Sequence, residues 1–256
     1  MEAYGSFCPE QWAYLSKQFG ICEKNANRAV PVTDLLVEEK CVAYLDEMSE
    51  AVSSPSRMTT ASAFAKRYAF LTIAPALYAM TVFNKGVDMS VENCFLGTLA
   101  DPGDAWLPHV SLSGLQTSEP SPGKRDKWRD GIIRSLFAEN LAPVFRVMSK
   151  AADAPKAILW ENAAVRLYSL YEKRLGQGAD EQVKSRIQED FDYIIHTAPG
   201  SLFGETRNPM ARFYGEPGGG AGSEPAVRVR KTCCFYYEIE ADGAYCSNCP
   251  KPKSSS

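Results

Sequence analysis

The stretch RVRKTCCFYYEIEADGAYCSNCP, residues 228–250, decides how this chain is organised. It holds Cys233, Cys234, Cys246 and Cys249, four of the eight cysteines, in the pattern C-C-x11-C-x2-C. The other four, Cys8, Cys22, Cys41 and Cys94, are scattered. The opening residues MEAYGSFCPEQW lack the basic and apolar regions of an export signal, so the expected compartment is the reducing cytoplasm. Structural disulfides are disfavoured there, and clustered thiols point to a metal.

Four thiolates are a full ligand set for a 2Fe-2S cluster or for structural zinc. Zinc ribbons use C-x2-C on both sides, and only the Cys246–Cys249 half fits that rule. Neighbouring side chains tend to point apart, so the adjacent pair suits two irons at a distance better than one zinc. No His lies in the segment, which excludes a Rieske-type site. Zinc and a strained vicinal disulfide remain the alternatives. Arg228, Arg230, Lys231, Lys251 and Lys253 flank the cysteines. Cations beside an anionic cluster favour its reduced form; the alternative is a solvated basic tail. Phe235, Tyr236, Tyr237 and Tyr245 are placed to shield the site.

Working outward, residues 215–226 (GEPGGGAGSEPA) have the composition of a flexible tether, and KPKSSS that of a disordered tail. The expected division is a main domain over 1–214, a Gly-rich linker over 215–226, and a module with its tail over 227–256. The main domain reads as mostly helical. Helices are expected over 9–19, after an N-cap at Thr33, over 58–83, over 127–150 with a break at Pro143, over 156–175 and over 180–195. The second carries Val37, Cys41, Tyr44, Leu45, Met48 and Val52 inward, and the fifth carries Trp160, Ala164, Leu167, Tyr168, Tyr171 and Leu175. Strands are expected over Val91–Leu99 and Trp106–Ser113, joined by a turn at Asp101–Asp104, with residues 114–126 a polar loop and 196–214 irregular. The fold class is therefore α+β: a predominantly helical main domain with a small antiparallel sheet, plus a short C-terminal iron–sulfur module held by four cysteines.

Hydrophobic residues make up 45% of the 256 and charged residues 23%, an ordinary globular balance. The net charge of -3 argues against a general nucleic-acid binder. The longest apolar run, Tyr68 to Phe83, is 16 residues and contains Pro75. That is short of the roughly 20 residues a membrane span needs. It reads as a buried helix and leaves room for a peripheral contact with the inner face of a membrane.

Adjacent cysteines followed some ten residues later by C-x2-C, after Arg230-Lys-Thr and with an aromatic behind the pair, resemble the FhuF-like ferric siderophore reductases. Trp160-Glu-Asn-Ala-Ala and Asn208-Pro209 add to the resemblance. The spacer here is eleven residues, where that pattern has ten. The resemblance implies a cytoplasmic iron–sulfur oxidoreductase. It would pass one electron to a ferric siderophore through a 2Fe-2S cluster on Cys233, Cys234, Cys246 and Cys249. It also implies a main domain akin to part of the siderophore synthetases. A bulky, polar chelate predicts a cleft between domain and module, with Arg207, Arg212, Arg228, Asn162 and Arg166 as candidate contacts. His109 and His196 are not assigned to iron. No dinucleotide fingerprint follows a strand, so an external donor such as a ferredoxin or a reduced flavin is expected. The competing readings are a zinc-stapled binding module without redox activity, and an Fe–S electron carrier or sensor with a protein partner.

Overall fold

Pro9 in the first turn and Gly20 past the last one bracket α1 (Pro9–Phe19), which follows the short strand β1 (Ala3–Gly5). Gly20 sits in the left-handed region at φ 69 and turns the chain into β2 (Ile21–Glu23). The computed structural model describes residues 3–24, 29–97, 107, 109–215, 227–240 and 242–251. After β3 (Val30–Pro31) a 3-10 turn runs over Val32–Leu36, and α2 (Glu38–Ala51) starts only then, with Val37 at its N-cap. Thr33 is thus not the cap, and Val37 is 44% exposed rather than inward. The tighter winding of the 3-10 turn lets Val32 and Leu35 both reach the core, which displaces the start of α2. Cys41, Tyr44, Leu45 and Met48 are buried as their spacing predicts.

The apolar run becomes the second half of α3 (Arg57–Tyr78) and the wide π-turn that continues it, Ala79–Phe83. Ser56 caps α3 by accepting from Thr59 N at 3.2 Å. Ala61, Ala65, Ala69 and Ala76 alternate with Phe64, Tyr68, Leu71 and Ile73, so nearly every side of this helix is buried. The run left open to a membrane surface therefore lies in the core. No helix among the described residues is long and apolar enough to cross a membrane.

Four short strands follow: β4 (Gly86–Val87), β5 (Cys94–Leu96), β6 (Val110–Leu112) and β7 (Thr117–Glu119). β5 and β6 pair antiparallel, with Phe95 opposite Ser111. The expected sheet was antiparallel, but the four-stranded sheet β2-β6-β5-β3 is mixed, because β2 runs parallel to β6. The turn at Gly20 delivers β2 there, and Val110 N donates to Gly20 O at 3.0 Å. The strand expected from Val91 begins only at Cys94, because Asn93 is engaged as a turn brace. Its Oδ1 accepts from Gly114 N at 2.7 Å and from Ser113 Oγ at 2.8 Å. The expected polar loop contains β7, which sits between β1 and β4 in a second sheet. Trp106, Pro108 and the Asp101–Asp104 turn lie outside the described residues.

The remaining helices are α4 (Arg125–Leu136), α5 (Ala142–Ala151), α6 (Lys156–Lys173), α7 (Glu181–Asp192) and α8 (Pro209–Phe213). The break at Pro143 takes the form of a π-turn, Phe137–Leu141, which widens the helix just ahead of the proline ring. α6 packs on α3 more extensively than any other pair of described elements, through Leu159, Ala163, Leu167 and Leu170 among others. On α7 the buried residue is charged: Asp190 accepts from Arg125 at 2.7 Å through both oxygens, from Arg129 at 3.1 Å and from Thr81 at 2.9 Å. Within the stretch expected to be irregular, Asn208 caps α8 and also donates to Ile194 O and Ala198 O.

Candidate metal centre

The cysteine segment lies against the α3–α6 pair, and its own backbone is sharply bent. Phe235 holds a left-handed φ of 56, costly for a bulky side chain. The bend follows the Cys233–Cys234 pair directly, and Phe235 N reaches back to Cys233 Sγ at 3.4 Å. At the other end Cys249 N donates to Cys246 O at 3.0 Å, the tight turn a two-residue spacer allows. Arg230 N donates to Asn248 O at 3.0 Å and ties the two halves together. The result brings Cys234 and Cys246 together, with their sulfurs 3.6 Å apart. Cys234 is buried, while Cys233, Cys246 and Cys249 are half-buried. Among the described residues, no three His, Cys, Asp or Glu side chains gather around one point as ligands of a single ion.

The surroundings are cationic. Arg230 has only 2% of its side chain exposed, and one terminal nitrogen has no hydrogen-bond partner. That nitrogen is 3.8 Å from Glu161 Oε2, too far for a hydrogen bond. The shared hydrogen bond with Cys246 holds the Cys234 thiol well below the ordinary range, and Arg230 and Lys66 act in the same direction. Cys246 is pushed up by the same hydrogen bond. A buried guanidinium whose Nε donates to Thr232 O but whose terminal nitrogen has no partner, beside thiols of this kind, fits an anionic group held by them. The other flanking cations are used differently. Arg228 pairs with Glu172 at 3.0 Å, Lys231 donates to Arg212 O at 2.6 Å, and Lys251 donates to Tyr237 OH at 2.6 Å. Lys253 lies outside the described residues. Tyr237 and Tyr245 pack ring on ring at 5.2 Å, and Tyr236 lies beneath Lys66, 3.5 Å from its nitrogen.

Three polar anchors join the segment to the helices, and a fourth side chain braces one of them. Glu161 on α6 is 2% exposed, and its carboxylate accepts from Lys231 N at 2.6 Å, from Thr232 N at 2.7 Å and from the Thr232 hydroxyl. Ser62 on α3 donates to Cys234 O at 2.8 Å. Thr59 donates to Glu238 at 2.5 Å. Asn162 supports Ser62 by donating to both its oxygens, at 2.9 and 3.0 Å. The segment is therefore docked on the helices by specific contacts.

Between module and α6 lies a cavity of about 560 Å³. Of the residues singled out around the site in the sequence, Asn162, Arg166, Arg228, Arg230, Tyr236 and Cys246 line it, together with Lys66. Arg207 and Arg212 do not; both are exposed on the surface, and the Arg212 guanidinium rests on the Phe213 ring. Sequence reasoning missed Glu161, Ser62 and Thr59. Their partners lie 70 to 179 residues away, so no local pattern marks them. For Glu161 the available signals were its place in the Trp160-Glu-Asn-Ala-Ala stretch and an acidic residue beside the apolar stripe of α6.

Residues 62–214 match the family model described as ferric iron reductase FhuF-like transporter. Residues 230–251 match the FhuF 2Fe-2S C-terminal domain, so the cofactor is a 2Fe-2S cluster rather than zinc. No curated protein matches the chain significantly. One similar solved structure is the aerobactin synthetase IucC from a hypervirulent pathotype of Klebsiella pneumoniae, at 13% identity and a TM-score of 0.45. The alignment covers 73% of this chain and 36% of that one, so the chain spans about a third of that protein's length. With both modules matched in order, the chain belongs to the FhuF-like ferric iron reductase family and carries its 2Fe-2S C-terminal domain.

Proposed function

We propose that this protein reduces ferric siderophores by one electron in the cytoplasm, releasing Fe(II), with Cys233, Cys234, Cys246 and Cys249 holding the 2Fe-2S cluster. In this reading residues 1–214 form the substrate domain and 227–256 the electron-delivering module, joined by 215–226. The observation that carries it is that Cys246 and the main-domain residues Asn162 and Arg166 line one cavity. A chelate seated there lies beside a proposed cluster ligand.

When bound, the cluster supplies single electrons at low potential, with plant-type relatives near about -400 mV. The substrate's chemistry needs no more than that. Siderophores hold Fe(III) through hard oxygen donors, and Fe(II) is bound far more weakly by the same set. Fe(III) gains one electron, no bond to carbon changes, and the weakened chelate lets the metal go. The chain's own residues position the partners. Glu161, Ser62 and Thr59 fix the module against the helices. Arg166 and Lys66 offer charge to the chelate, and the aromatic residues around the cysteines limit water. The electron comes from an external donor such as a ferredoxin or a reduced flavin.

The test is to reduce the purified protein anaerobically, remove the reductant, and mix it with a panel of ferric siderophores and a ferrous trap. About one Fe(II) per cluster should appear as the reduced spectrum returns to the oxidised one. A reduced protein that stays reduced with every chelate, yet passes its electron to a protein acceptor, would remove the siderophore reading in favour of a carrier.

A further inference from the structure

The cavity beside Cys246 has a one-sided charge. Its two carboxylates are already engaged: Glu161 by the module backbone, and Glu172 by Arg228 at 3.0 Å. Arg230 also lies near Glu161, at 3.8 Å, and among the described residues no carboxylate pairs with the remaining cations in the wall, Lys66, Arg166 and Lys173. Arg166 donates through Nε to Lys66 O at 3.2 Å, which leaves its terminal nitrogens uncommitted to that bond. Burial and the nearby Arg174, Arg230 and Arg67 all lower the Arg166 pKa, as expected where positive charges crowd without a matching acid. Lys66 is covered by the Tyr236 ring on one side. Lys173 is exposed at the rim.

We propose that this cavity selects ferric chelates that carry free carboxylates over neutral ones. The proposal rests on the reductase reading and names the substrate class within it. A 2Fe-2S group with four thiolates is an anion, so an anionic chelate beside it is repelled unless cations stand between them. Lys66 and Arg166 meet that need, since both lie in the wall of the cavity that Cys246 also lines. A neutral chelate gains little from these cations, while a carboxylate arm gains charge-assisted hydrogen bonds.

The experiment uses the full-length holoprotein and gallium(III) chelates, which match the ferric ones in charge and size but accept no electron. A carboxylate-bearing dihydroxamate chelate is compared by calorimetry with a neutral trihydroxamate chelate. The anionic chelate should bind about tenfold or more tighter at low salt, with the advantage shrinking as salt is raised. Arg166→Gln should weaken anionic binding about tenfold, and the exposed Lys173→Gln about threefold. Lys173→Gln should leave neutral binding and the visible spectrum of the cluster unchanged. Equal affinity for the two chelates, or loss of neutral and anionic binding alike in Lys173→Gln, would overturn the charge selection. The ferric forms of the same pair separate the two ideas. Reduction of both chelates with equal affinity removes the selectivity and keeps the reductase. Selective binding of the anionic chelate without any reduction removes the reductase and keeps the selectivity.

Discussion

Replacing Glu161 with alanine takes away the acceptor of Lys231 N, Thr232 N and the Thr232 hydroxyl, and the nearest carboxylate to the buried Arg230. Removing one partner of a buried charged pair costs about 3–5 kcal/mol. Lys231 is exposed, so water can recover its N–H, and the lower end applies. A cost of about 3 kcal/mol raises the undocked fraction of the module by roughly 10²-fold. The cluster is attacked from the undocked form, so the assay is the rate at which a strong iron chelator bleaches the visible bands. If opening is fast relative to attack, that rate follows the open population and rises by the same factor. Glu161→Gln keeps one acceptor oxygen and should fall in between. Far-UV circular dichroism should show the helices of the main domain unchanged. A bleaching rate for Glu161→Ala within about twofold of the parent would refute the view that this carboxylate latches the module.

Cys234→Ser should abolish the charge-transfer bands, while Cys8→Ser, at an exposed site outside the module, should keep them; iron and sulfide analysis checks both. Arg230→Gln should retain the cluster but make its reduction harder, by about tenfold in the reduction equilibrium or about 59 mV for one electron, read by EPR-monitored titration. An unchanged potential would show that the orphaned guanidinium does not act on the cluster. Asp190→Ala should destabilise the main domain by about 3 kcal/mol, because it removes the fully buried acid shared by Arg125, Arg129 and Thr81 and leaves those cations only the more exposed Glu189 and Asp126; thermal denaturation reads it.

The elements legible in the sequence are those whose period is strong and whose partners are generic. The α6 stripe, the α3 run and the Pro143 break are of this kind. The α2 start was misplaced because Val32 and Leu35 gain burial in a turn that periodicity does not describe. β7 was missed because Thr117-Ser-Glu119 is polar and short, and exists as a strand only between β1 and β4. The parallel β2–β6 pair links residues 89 apart, beyond any hairpin signal. At the metal centre the cysteines declare themselves by number and spacing. Arg228 and Arg230 look alike in sequence, yet one is neutralised by Glu172 and the other is sealed beside the sulfurs. That difference is set by the turn of α6 each one meets, since Glu161 and Glu172 lie on one face about three turns apart.

The buried anchors that receive the cysteine segment, Thr59, Ser62 and Glu161, and the brace Asn162 all precede it in the chain. During synthesis the receiving face on α3 and α6 is therefore translated before Cys233 emerges. The helical domain can fold around a surface that still lacks its covering strand, with the Glu161 carboxylate open to water. Iron and sulfide delivered after that point meet cysteines already positioned by a finished platform. Cluster insertion thus becomes a late maturation step, and the same carboxylate that waits uncovered in the nascent chain is the one that closes over the finished protein.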